Sequence, residues 1–209
     1  MSDEILLYYY QQIQTNHANI IILETSTEEV LNNIATLKSE IGFVTVNDLQ
    51  LPALKKILEL KDLELHEISE GPLYVHVGCQ NPLFGRECIH ARELLPHTYI
   101  SLPEDFFSNL NQLLNLDGIR IIDFSKSLKI NNYHAIINMV KRTDAFILGN
   151  QWQMEELQKG QICSILLEKC SVRKKLFWIK RKKEILSHQA ESFLNLIIAY
   201  YGSDRKKQR

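Results

Sequence analysis

Short apolar runs of strand length alternate with amphipathic stretches of helix length along most of this chain, and that alternation limits the folds open to it. Ile20-Ile21-Ile22-Leu23 has the pattern of a short buried strand. Ser26 or Thr27 can cap the helix that follows, whose Val30, Leu31, Ile34 and Leu37 share one face. Glu28 and Glu29 suit the positive end of that helix. Ile41-Gly42-Phe43-Val44-Thr45-Val46 is the next strand. Strand, helix, strand, with a helix long enough to cross over, predicts a βαβ unit and a parallel sheet.

The flanking segments extend this pattern. Ile5, Leu6, Tyr9 and Ile13 fall at helical spacing, with Ser2 and Asp3 available as caps and Asn16-His17 as the stop. The other face of this helix, Leu7, Tyr8 and Tyr10, is unusually aromatic for a solvated surface, which predicts a dimer contact. Leu54, Ile57 and Leu58 suggest a short helix, and Leu63, Leu65 and Ile68 alternate like a half-exposed strand. After the turn Gly71-Pro72, Leu73 to Val77 reads as a strand. The second half repeats the alternation, with a helix from Asp105 to Leu116 and a strand Ile119 to Ile122. A helix Tyr133 to Val140 and a strand Ala145 to Leu148 complete it. A strand Leu176 to Ile179 then carries the chain back. The last helix, with Leu186, Ala190, Phe193, Leu194, Ile197 and Tyr201 on one stripe, docks on the first lobe. The expectation is a bilobed α/β fold: residues 1–76 and 175–209 form lobe I and residues 77–174 form lobe II. The tail Ser203 to Arg209 reads as frayed.

Composition narrows the function classes. At 209 residues, 45% hydrophobic and 23% charged, the chain can bury a sizeable core, and disorder is not expected. A formal net charge of −1 gives no pull toward nucleic acid or an anionic membrane. No apolar run is long enough to span a bilayer, and the N-terminus lacks a secretory pattern, so a cytoplasmic protein is expected.

Little here points to catalysis. Seven histidines (His17, His66, His76, His90, His97, His134 and His188) are scattered without metal-binding spacing, and no nucleophile elbow, dinucleotide or Walker loop is present. No cofactor, metal or enzymatic activity is expected. His76, in a strand near Cys79, suggests a Cys–His couple, but alternation along Tyr74 to Gly78 favours a half-buried structural or hinge role. Cys79, Cys88, Cys163 and Cys170 are too few for a disulfide scaffold and lack zinc spacing. Cys79 and Cys88 flank a Pro/Gly turn and are able to approach one another. Arg173-Lys174-Lys175 and Lys180-Arg181-Lys182-Lys183 raise a nucleic-acid reading. Without an aromatic stacking platform, a solvated basic face is the better one.

The order of pieces from Cys79 to Gly160 resembles the effector-binding domain of LysR-type transcriptional regulators. Asn81-Pro82-Leu83 is similar to that family's "hPL" turn, Arg92-Glu93-Leu94-Leu95 to its "l-x-d-L" segment and Tyr99-Ile100-Ser101-Leu102 to the strand that follows. Val140 to Leu148 resembles its glycine-rich "V-x-x-G-x-G-I-a-l-l-P" segment, with Arg142-Thr143-Asp144 where the glycines normally fall. Leu157-Gln158-Lys159-Gly160 with Ile162 resembles its "l-x-x-G-x-L" return. Earlier, the first helix, the strand Ile20 to Leu23 and the helix 27–38 look like the family's opening crossover. These motifs are loose, and their order and spacing carry the likeness.

The resemblance implies a periplasmic-binding-protein-like (type II) fold, two α/β lobes with a ligand cleft between them. It implies a small-molecule effector and a homodimer or tetramer, with ligand binding shifting the oligomer to control transcription. DNA would be reached only through an N-terminal helix-turn-helix, which is not in this sequence. The family's opening strand is not in it either; either the sequence starts late or another segment, for instance from a neighbouring molecule, fills the gap. Effector-facing positions on the resembled fold are Thr45 and Asn47 after one strand, Ser101 after another and Thr143 before a third, with Arg142 as partner for an acidic effector. Each has a plainer role: Thr45 as a strand residue, Ser101 as a cap after Pro103, Arg142 as a solvated charge. Peroxide-sensing members use a cysteine pair lying later than Cys79 and Cys88. The alternative function is a stand-alone solute-binding protein of the same fold.

Overall fold

Ile5 and Tyr9, one helical turn apart, are buried on α1 (Asp3–Ile13), while Leu7, Tyr8 and Tyr10 on its other side are exposed. This is a computed structural model, and it describes residues 3–13, 20–102 and 106–202. The expected cap Ser2, the helix stop Asn16-His17, Pro103 and the tail after Gly202 lie outside the described residues. The chain divides into two compact units, residues 1–70 with 175–209, and residues 71–174.

In the first unit, Ser26 caps α2 (Thr27–Ala35) by accepting a hydrogen bond from the Glu29 amide at 3.2 Å. α2 leads to β1 (Gly42–Asn47) and packs closely on it. A Cβ on Gly42 would lie 2.5 Å from Val30 Cγ1 and 2.7 Å from Ile34 Cδ1, so a larger residue here would force these α2 side chains to shift. α3 (Leu51–Leu60) and β2 (Leu63–Pro72) follow, and β11 (Arg173–Arg181) later inserts between the earlier strands in the order β1-β11-β2. α7 (His188–Gly202) buries Leu194, Ile197 and Tyr201. It meets α1 through Tyr9, whose hydroxyl donates to the Gln189 carbonyl at 2.8 Å and whose ring lies 4.8 Å from that of Phe193.

One expected strand is absent. Ile20–Leu23 forms no strand and pairs with no described strand, and its side chains are 38%, 75%, 48% and 45% exposed in chain order. The run is apolar enough for a buried strand, yet burial also needs a hydrogen-bonded neighbour, and among the described strands β1 pairs only with β11.

The second unit is built on β3 (Tyr74–Gly78), β4 (Cys88–Ile89), β5 (Tyr99–Ser101), β8 (Ser127–Lys129), β9 (Phe146–Gly149) and β10 (Ile162–Leu167), in the order β4-β10-β3-β9-β5-β8. Because β3 is a central strand here, the units change over before it, earlier than the expected 76/77 boundary. The sheet is mixed rather than parallel: β3 runs antiparallel to β9 and β10, while β5 runs parallel to β8 and β9. Successive side chains feed opposite faces. Phe146, Val75, Val77 and Ile165 join one core, and Ile147 and Ile162 join another with Ile136 and Val140 of α5 (Tyr133–Arg142) and Leu157 of α6 (Met154–Lys159).

Two sequence expectations fail in this unit. The helix expected to Leu116 stops early, as α4 (Phe106–Asn111), and the strand expected over Ile119–Ile122 is a two-stranded hairpin of β6 (Asn115–Leu116) and β7 (Ile119–Arg120). Asp117 and Gly118, both at positive φ, form its two-residue turn. Asp-Gly is a strong signal for such a turn and outweighs the helical spacing of Leu110, Leu113 and Leu114.

Candidate functional site

At the carboxyl end of β1 the backbone turns sharply into α3, and Asn47 builds that turn. Its side-chain oxygen accepts from the Leu49 and Gln50 amides at 3.0 and 3.2 Å, and its own amide donates to Gln50 Oε1 at 3.0 Å. Asn47 and Gln50 are both buried, unusual for polar residues at a strand end. Pro52, in the first turn of α3, has no amide to satisfy there. Thr45, two residues back on the same strand, is half-buried. Of the first unit's two expected site residues, Asn47 is therefore committed to holding the turn, and Thr45 flanks it.

The second unit separates its three. Tyr99 on β5 stands opposite Phe146 on the parallel strand β9. Ser101, two residues on, is half-buried at the carboxyl end of β5 and level with Leu148. Thr143 precedes β9, on the amino-terminal side of the Tyr99–Phe146 pair. This register sets Ser101 and Thr143, expected to line one site, on opposite sides of the Tyr99–Phe146 pair along the strands. Thr143 instead closes α5: its hydroxyl donates to the Met139 carbonyl at 2.7 Å and accepts from the Ala145 amide at 3.1 Å. Arg142 is exposed in the last turn of α5, where a cation complements the helix dipole, and shares the amino end of β9 with Thr143.

That amino end carries a polar cluster which spacing alone did not indicate. Nearly buried His97 places Nδ1 3.2 Å from Asp144 Oδ2, and Asn81 donates from Nδ2 to the Asp144 carbonyl at 2.5 Å while accepting from the Leu83 amide at 2.9 Å. Asn81 thereby ties the Asn-Pro-Leu turn to the entrance of β9. At the opposite end, Asn150 accepts from the Trp152 amide at 3.1 Å and starts the short helical turn that leads into α6.

His76 is completely buried rather than half-buried. Its Nδ1 lies 2.8 Å from the Ser164 hydroxyl of β10, and burial pushes its pKa down to about 4, so the imidazole is neutral at physiological pH. Its partner is thus a serine across the sheet, and a Cys–His couple with exposed Cys79 is not formed. Cys79 and Cys88 are likewise apart. They flank β10 on opposite sides, Cys88 level with Leu166 and Cys79 just beyond the level of Ile162, which separates them by well over 10 Å. All four cysteines are free thiols.

The basic run is largely neutralised where it lies. Lys175 meets Asp48 and Glu70, Lys180 meets Glu64, Lys182 meets Asp62, and Arg181 meets Glu184 and the Ile34 carbonyl. The hydrogen bond from Lys180 holds the Glu64 carboxyl below its ordinary pKa. Among the described residues no group of three His, Cys, Asp or Glu side chains could hold a metal ion, and no helix is long and apolar enough to cross a membrane.

The family model for the LysR substrate binding domain matches residues 16–201. The chain belongs to that family. It is an effector-sensing domain of a LysR-type regulator, with the periplasmic-binding-protein-like type II fold, and the solute-binding alternative is not favoured. No curated protein matches it in sequence. Among solved structures, the effector-binding domain of QuiR in complex with shikimate is similar over 96% of this chain and 90% of its own, at 13% identity and a TM-score of 0.63. The BenM effector-binding domain with its effector benzoate is similar over 96% and 86%, at 12% identity and a TM-score of 0.62. HinK, a LysR family regulator from Pseudomonas aeruginosa, is similar over 96% of this chain and 66% of its own, at 13% identity and a TM-score of 0.66. At such identities the likeness concerns the fold.

Proposed function

We propose that this LysR domain senses its effector with groups at the carboxyl ends of its strands: Thr45 and the turn built by Asn47 in the first unit, and Ser101 in the second. The family match over residues 16–201 is the observation that carries the reading. The local geometry supports these positions, because Thr45 and Ser101 are half-buried at or near strand ends, where open α/β sheets collect ligands. Thr143 and Arg142 are left out, since they lie at the amino end of β9.

Binding, not catalysis, is the proposed role, and it works by population shift. An effector that prefers one conformation of the regulator enriches that conformation in proportion to its differential affinity. The regulator acts in the cytoplasm on DNA, through a helix-turn-helix outside this sequence. It self-associates as a homodimer or tetramer through the exposed Leu7, Tyr8 and Tyr10 of α1. A mass by light scattering that stays monomeric at high concentration would count against that assembly.

Small organic acids come first in a thermal-shift screen, prompted by shikimate and benzoate in the related structures, followed by amino acids and phenolics. Effector at 100 times its dissociation constant adds about 2.7 kcal/mol, equivalent to roughly 5–10 °C for a domain of this size. A saturable shift weakened by Ser101→Ala supports the reading. No shift across the panel, or a shift indifferent to both Ser101→Ala and Thr45→Val, rejects it.

A further inference from the structure

Lys175, Lys180, Arg181 and Lys182 each meet a carboxylate. Lys174, the second residue of β11, meets none among the described residues. The residue is half-buried, and the protein packed around its ammonium draws the pKa down from 10.5 to about 8. It therefore keeps its proton at neutral pH with no opposite charge beside it. Enclosing an ammonium in this way costs stability unless a partner answers the charge.

Strand register shows what Lys174 faces. The Leu73 amide donates to the Val172 carbonyl at 3.3 Å, and Lys175 meets Glu70 at 3.5 Å across the same two antiparallel segments. Lys174 therefore stands across from Gly71, and directly opposed residues of such a pair share one face. Gly71 has no side chain to fill that face. The Gln151 amide occupies the space a Cβ would need there, which brings an uncharged hydrogen-bonding group to the Lys174 side. Gln151 lies just past the carboxyl end of β9, and β5 runs parallel to β9 with Ser101 at its own carboxyl end. Cation, amide and hydroxyl thus belong to one end of the second unit's sheet.

We propose that Lys174 is the counter-ion of the effector, which is accordingly a small organic acid with a single carboxylate; this rests on the effector-sensing role proposed above. The carboxylate accepts a charge-assisted hydrogen bond from the Lys174 ammonium, with the Gln151 amide placed to bond a neighbouring polar group. A lone ammonium selects for a monoanion. A phosphate dianion would call for a second cation, and Lys175, the next residue, is already held by Asp48 and Glu70. Arg142, the arginine expected to serve an acidic effector, lies at the other end of β9.

The test follows the Lys174 side-chain signal by NMR in the whole chain, assigned by its loss in Lys174→Met, as acetate or acetamide is added at constant pH and ionic strength. Acetate is expected to move that signal saturably and further than any other lysine signal, and acetamide to leave it in place. Lys174→Met removes an unpaired charge, so it should keep or raise the thermal midpoint. It should also bind any organic acid that stabilises the parent at least tenfold more weakly. A Lys174 signal indifferent to acetate overturns the inference, as does an effector that is uncharged or is held equally by Lys174→Met; each of these leaves the effector-sensing reading standing. An acetate response at Lys174 with no stabilising compound in the screen does the reverse, upholding the anion site while the effector reading fails.

Discussion

Tyr99 on β5 and Phe146 on β9 stand in register on adjacent parallel strands, their ring centroids 5.5 Å apart. This pair sorts the polar residues around it, leaving Ser101 at one end of the sheet and Thr143 at the other. The two should therefore respond differently to mutation. Ser101→Ala is expected to weaken effector binding about tenfold, near 1.4 kcal/mol, with little change in the stability of the free domain. Thr143→Val should leave the effector-induced thermal shift intact and cost about 1–2 kcal/mol of stability, because it removes both bonds that close α5. Titrations of both variants against one effector measure the difference; equal losses of affinity would contradict the placement.

Asn47 is predicted to matter for folding before it matters for ligand. Its oxygen serves the Leu49 and Gln50 amides at a buried turn. The Gln50 amide also reaches the Asn47 carbonyl at 3.1 Å, so truncation leaves the Leu49 amide as the main loser. Asn47→Ala should lower stability by about 1–2 kcal/mol, seen as a shifted urea midpoint with an unchanged slope. An unchanged midpoint would mean that the turn is held by other groups.

Gly78 ends β3 under the last turn of α5. A Cβ there would lie 2.3 Å from the Val140 carbonyl oxygen and 2.6 Å from Lys141 Cα, both of them backbone atoms. Backbone cannot swing aside as a side-chain tip can, so Gly78→Ala must push helix from sheet. A loss of about 1–3 kcal/mol or more is expected from overpacking. Gly85→Ala provides a contrast: nothing lies within 4 Å of its Cβ position, and its cost comes from a φ of 83°. Paired denaturation curves separate crowding from backbone strain, and a Gly78→Ala protein of wild-type stability would refute the close approach.

What could be read in the residues, and what could not, follows from the range of the interactions. Helices with a cap and an apolar face, such as α2 with Ser26 and α5, depend on neighbours three or four positions away, and the order of turns and strands through Pro82, Leu94 and Tyr99 was enough to suggest the family. Ile20–Leu23 misled because a strand needs a partner supplied by distant residues. The Asp117-Gly118 hairpin was legible and was overshadowed by the leucines before it. Pairings such as His97 with Asp144, or His76 with Ser164, span 47 and 88 residues and become visible only once strand order is known. The same holds for Ser101 and Thr143, whose separation is a matter of register.

His76 makes a prediction of definite sign. Burial holds its pKa near 4 in the folded chain, below the ordinary 6.5 expected when unfolded. Between those values the unfolded chain binds a proton that the folded chain refuses. This group therefore leaves stability unaffected above pH 6.5 and removes it progressively as pH falls toward 4. At pH 5 the loss is about 2 kcal/mol, from 1.36 kcal/mol per unit of pKa difference. His76→Gln can keep a hydrogen bond to Ser164 but has no proton to gain. It should be less well packed at pH 7 and yet lose less stability than the parent between pH 6.5 and pH 5. Urea midpoints of both proteins at pH 7, 6 and 5 measure this, and parallel pH dependences would show that His76 titrates as an ordinary imidazole.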